Sequence, residues 1–145
     1  MSLGDHLRYL RAKNGGQATE EVAKAIGLDN VTQLNLAEVR YRPVEDDGLV
    51  EKLAAYYARP VAEFQWHNAR ARKYLTFYLS QAKDQQMPVS LTLRGDQQLT
   101  GRVVWWDLSS VGLMEESGRV VVVQRHAIID WPKATDHWWD ENDEL

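Results

Sequence analysis

The 145-residue chain has no cysteine, which excludes a disulfide framework, a thiol nucleophile and any zinc site built on thiolates. Proline numbers 4 and glycine 9, too few for a collagen-like repeat or a Pro/Gly-rich disordered chain. Apolar runs such as Val120–Val123 fall far short of the ~20 residues that span a bilayer. The opening MSLGDHLRYLR lacks the charged start and apolar core of a secretion signal. A cytoplasmic protein with no membrane partner is therefore expected. Catalytic constellations are missing too: His6, His67 and His137 show no metal-ligand spacing, no glycine loop suits a phosphate, and Ser109-Ser110 has no evident base. The expectation is no enzyme, no cofactor and no metal.

What is present is 44% hydrophobic and 26% charged, with a net charge of −4. The charge is uneven. Residues 1–66 carry 8 basic and 10 acidic side chains, residues 67–133 carry 9 and 6, and residues 134–145 carry none and 5. A mildly basic segment thus precedes an acidic tail.

The first half has helical periodicity. Leu3, Leu7 and Leu10 share one face, ending before Gly15-Gly16; Thr19 is a candidate cap for a second helix, with Val22, Ala23 and Ile26 inward and Gly27 as terminator. Val31, Leu34 and Ala37 mark a third helix, Leu49, Leu53 and Tyr57 a fourth, and Pro60 sits at a favourable first position for a fifth. Asn68 to Gln86 reads as one further amphipathic helix. After Pro88 the period changes to two. Val89, Leu91 and Leu93 alternate up to Gly95-Asp96, and strands are expected over Leu99–Trp106, Val111–Met114, Val120–Val123 and Ala127–Trp131. Period two places only one of Trp105 and Trp106 inward. Three segments follow: 1–66, 69–132 and an acidic flexible tail, 133–145.

The run MPVSLTLRGDQQLTGRVVWWD, Met87 to Asp107, resembles the first Sm motif. VVVQRHAIIDW, Val121 to Trp131, resembles the second motif in its bacterial, Hfq-like form. That resemblance implies a helix followed by a bent five-stranded antiparallel β-barrel, with Gly101 at a sharp bend. It also implies a homo-oligomeric ring, usually a hexamer, closed through edge strands. In such rings single-stranded RNA enters a pore pocket, so Gln124, Arg125 and His126 are the implied ligands, with Arg70, Arg72 and Lys73 as a basic approach. The stacking aromatic of the family is replaced by Ser109 and the usual Gln by Leu108, which weakens the pocket. Loss of a stacked base removes about 1–3 kcal/mol. Thr92 stands where the opposite face carries a Tyr, and Lys83, Asp84, Gln85 and Gln86 replace the rim arginines. The alternatives are a protein-interaction ring without RNA binding and a DNA-binding transcriptional regulator that its Sm-like domain oligomerises.

Residues 3–64 resemble the helix-turn-helix of the Cro and phage-repressor class, through Leu7–Arg11, Ala18–Leu28, Ala37–Pro43 and Leu49–Ala54. That likeness implies a third helix in the DNA major groove. Asn30, Thr32, Gln33 and Asn35 would then face base edges and Arg40 and Arg42 phosphates. The expected protein is α+β and multi-domain: a helix-turn-helix domain joined to an Sm-like domain, in post-transcriptional or transcriptional regulation.

Overall fold

The computed structural model describes residues 1–132. Six helices precede a five-stranded antiparallel sheet: α1 (Leu3–Lys13), α2 (Thr19–Ala25), α3 (Thr32–Val39), α4 (Asp47–Tyr56), α5 (Val61–Asn68) and α6 (Arg72–Asp84), then β1 (Pro88–Leu93), β2 (Gln98–Trp106), β3 (Ser110–Met114), β4 (Val120–Gln124) and β5 (Ile128–Asp130). The three-residue 3₁₀ turn Arg125–Ala127 links β4 to β5. The acidic tail expected at 133–145 lies outside the described residues. Among those described, no helix is long and apolar enough to cross a membrane.

Local chemistry sets the helix starts. Ser2 caps α1: its Oγ accepts from the Asp5 amide at 3.2 Å and donates to Asp5 Oδ2 at 2.9 Å, satisfying an orphan donor and fixing the carboxylate. Asp46 does the same for α4, accepting from the Leu49 amide at 3.0 Å. Thr19, read as a cap, is instead the first helical residue, with Ala18 at the capping position and no side-chain bond there. Pro60 likewise stands one residue ahead, at the cap of α5. The helix expected over 68–86 starts later, because Ala71 is extended at the α6 cap and the Lys73 amide donates to the Tyr41 carbonyl.

Two apolar cores result. Leu3, Leu7, Leu34, Leu53 and Phe64 lie in the first, among α1 to α5. Leu75, Leu79, Leu91, Val111 and Ile128 lie in the second, between α6 and the sheet. Each such side chain contributes about 1.5–3 kcal/mol on burial. Gly4 lets α1 sit against the end of α3: a Cβ there would fall 2.9 Å from the Ala37 carbonyl oxygen and nearer still to that of Glu38.

The sheet order is β4-β3-β2-β1-β5, and here the expected bent barrel is overturned. The sheet is neither closed nor curled. Closure would need hydrogen bonds between β4 and β5, which occupy opposite edges. β5 pairs with β1 only at Thr92↔Asp130 and Leu93↔Ile128, with a register shift between them. Gly101 answers a different demand from a bend, since a Cβ would meet the Met114 carbonyl oxygen at 2.7 Å. Trp106 packs partly against the sheet core, whereas Trp105 is 38% exposed and lies where a Gly112 side chain would be.

Candidate nucleic-acid interface

A cleft of about 190 Å³ opens where α1 meets the β4–β5 turn, lined among others by Asp5, Arg8, Arg72, Ser109, Arg125 and His126. A second hollow of about 510 Å³ shares Asp5, Arg8 and His126 and adds Tyr9 and Arg94. The two make one groove between the helical module and the sheet.

Asp5 organises its floor. Its buried carboxylate lies 2.6 Å from Arg8 Nη2 and 2.7 Å from Arg72 Nη2. Burial pushes the Asp5 pKa up, but the hydrogen bond and charge of Arg72, with Ser2 and Arg8, outweigh it and hold the group below its ordinary value. Arg8 keeps 46% of its side chain exposed and Arg72 27%.

The expected RNA residues divide sharply. His126 and Gln124 are exposed, His126 at the mouth of both hollows. Arg125 is 6% exposed, and its guanidinium donates to the Asp107 carbonyl at 2.7 Å, Thr76 Oγ1 at 2.6 Å and the Arg72 carbonyl at 3.3 Å. It ties the turn after β4 to α6 and to the β2–β3 loop. Arg70 is buried too, donating to Asp130 at 2.8 Å and to the Trp66 carbonyl, with its guanidinium 3.4 Å over the Trp66 ring. Lys73 is 7% exposed. Of the three approach cations, only Arg72 reaches the groove with a substantially exposed side chain.

Asp107 holds the neighbouring loop. Its Oδ1 accepts from the Ser109 amide at 2.7 Å, Ser109 Oγ at 2.9 Å and the Ser110 amide at 2.7 Å. These bonds, the Ser109 amide foremost, hold the carboxyl below its usual range.

On the helical module, Asn30, Thr32, Gln33, Asn35, Arg40 and Arg42 are all exposed. Asn30 accepts from the Thr32 amide at 2.9 Å, and Arg40 donates to the Pro43 carbonyl at 2.8 Å. The same face of the chain carries Leu36, 59% exposed, and Val39, 60% exposed. The exterior of α3 is therefore amide and apolar as much as cationic.

Sequence reasoning missed Asp5, Arg8, Tyr9 and Arg94. Ser2-x-x-Asp5 and the Asp5/Arg8 spacing signal a helix start and an i,i+3 pair; nothing local shows that α1 docks beside His126. Arg94 stacks 3.6 Å from the centre of the Tyr9 ring, a planar cation on an aromatic lining the second hollow beside His126.

The order of elements here is a helix leading into a five-stranded antiparallel sheet, with a basic-His turn before the last strand. Residues 80–130, about a third of the chain, match the family described as Hfq related. No curated protein matches the chain.

Proposed function

We propose that the chain is an Sm-like regulator that binds single-stranded RNA in the groove between α1 and the β4–β5 turn. The observation carrying this reading is the convergence of exposed His126 with Arg8, Arg72 and the Arg94–Tyr9 stack. Single strands offer splayed bases for stacking and a backbone for charge. A base laid on the outer face of Arg94 regains part of the stacking that Ser109 cannot give, as guanidinium planes stack on bases and rings. His126 meets base or phosphate, and Arg125 positions the turn that presents it. Copies of the chain join through the unpaired outer edge of β4, where Val120 and Val122 are exposed, and a ring multiplies weak subsites. Activity of this kind requires no catalysis.

A second reading, a protein-interaction assembly, rests on the exposed Leu36 and Val39 of α3. The same apolar content disfavours the duplex-DNA reading of Asn30, Thr32, Gln33, Asn35, Arg40 and Arg42, as does the acidic balance of residues 1–66. Fluorescence anisotropy of labelled oligo-U, oligo-A and duplex DNA separates the three. RNA binding that falls about 5- to 150-fold in Arg94→Ala, the equivalent of roughly 1–3 kcal/mol of stacking, supports the groove. Binding to no probe refutes RNA recognition in favour of the protein partner. Duplex preference insensitive to Arg94→Ala and His126→Ala moves the function to α3.

A further inference from the structure

A second cluster of polar side chains lies away from the groove, in the core between α1 and α5. His6 of α1 stacks on His67 of α5, with ring centroids 3.9 Å apart and planes at 18°. Glu63, one helical turn before His67, puts Oε1 2.9 Å from His6 Nε2. Side chains four apart share a helix face, so Glu63 and His67 both turn toward α1. One nitrogen of each histidine and one carboxylate oxygen lie within 4.8 Å of one another.

Two features distinguish this group from an ordinary packed pair. The His6 side chain is 6% exposed and its Nε2 faces the Glu63 carboxylate at 2.9 Å, while its Nδ1 has no hydrogen-bond partner. A buried polar group left so costs about 1–3 kcal/mol. His67, in contrast, has its Nδ1 oriented by the Met1 carbonyl at 3.1 Å. Ring nitrogens that bind metal are held in just this way, the far nitrogen donating to a carbonyl so that the near one presents its lone pair.

We propose that His6, Glu63 and His67 bind a divalent cation of the zinc class, which clamps α1 to α5. Two imidazoles and a carboxylate are a borderline donor set that suits Zn²⁺. Burial pulls the His6 pKa below its usual value and that of His67 down to about 4, so both rings are unprotonated at neutral pH, as ligation requires. Ligands at about 2.0–2.1 Å around a tetrahedral ion stand roughly 3.4 Å apart. Binding therefore draws the donors inward and turns His6 out of its stack. Arg59, whose Nε lies 2.8 Å from both Glu63 oxygens, yields to the ion; its side chain is 43% exposed and free to swing outward. Water completes the coordination. The Glu63-x-x-x-His67 spacing is the only trace of this in the sequence, and its third member lies 57 residues before Glu63.

The test uses the full chain without an affinity tag, stripped by chelator and titrated with ZnCl₂, with bound metal counted by elemental analysis. One zinc per chain is expected, with a rise in thermal midpoint on loading. Glu63→Gln, at a partly exposed position that keeps the helix, weakens zinc binding by about 100-fold or more, the upper end of what loss of an outer partner alone brings. His67→Gln does the same. Removing His126 and His137 together leaves the affinity unchanged, and Co²⁺ gives the intense visible bands of a tetrahedral site. No stoichiometric zinc, or zinc affinity untouched by Glu63→Gln in a chain whose circular dichroism is native, overturns the proposal.

Discussion

Arg125 and His126 are neighbours in the chain, and their substitution separates a tie from a contact. Arg125→Ala deletes two short charge-assisted hydrogen bonds, to Thr76 Oγ1 and the Asp107 carbonyl, and a longer one to the Arg72 carbonyl. Hydrogen bonds to a charged group contribute about 1.5–3 kcal/mol each. Relief of the desolvation of a buried guanidinium offsets part of this. A net loss of about 2–4 kcal/mol is expected, which for a chain of this length lowers the melting midpoint by roughly 2–4 °C per kcal/mol. His126→Ala changes an exposed side chain and shifts stability within about ±0.5 kcal/mol. Urea unfolding and oligo-U anisotropy on both variants give four numbers. The reasoning requires Arg125→Ala to lose stability and His126→Ala to lose affinity alone. Unchanged stability in Arg125→Ala with binding abolished would refute the assignment of Arg125 as a positioning residue.

Gly4→Ala tests the α1–α3 contact. Helix propensity alone favours alanine by about 1 kcal/mol, whereas the collision with the Ala37 and Glu38 carbonyls predicts a net destabilisation of about 1–3 kcal/mol in urea unfolding. Asp5→Asn tests the groove floor, measured in chelator. Because the folded carboxyl sits below its ordinary 3.8, its stabilisation is complete above that pH and is lost as pH falls through the lowered value. The variant is thus expected to be about 1–2 kcal/mol less stable than wild type at pH 7, allowing for the exposure of Arg8 and Arg72, with the gap closing toward pH 2. A gap independent of pH would mean that charge is not what Asp5 contributes.

The elements were largely legible, the site only in outline. Helical spacing from Leu3 to Leu53 and alternation from Val89 onward mark residues whose burial is decided by their own periodicity, and both cores contain them. Ala69–Ala71 interrupts a run that is amphipathic throughout, because the turn there answers to Tyr41 and Trp66, contacts no window of the sequence contains. The open sheet was unreadable for the same reason: alternation shows which face is buried, and says nothing of whether β4 and β5 meet. Arg125 looks like a ligand from its motif and is a tie in the fold, since its acceptors lie 18, 49 and 53 residues away. Asp5, Arg8 and Arg94 reach the groove only through docking of one module on the other.

The carboxylate at the floor of the groove has a thermodynamic corollary. A strand whose phosphates settle beside Arg8 and Arg72 displaces an internal anion, where bare arginines would shed mobile ions from solution. Counterion release governs how steeply affinity falls with salt, so RNA bound as proposed would show a shallower ionic-strength slope than the groove's complement of arginines implies. Free phosphate, with one charge centre and no base to stack, would gain little from displacing Asp5, so under the proposed function the resident anion would favour polymers.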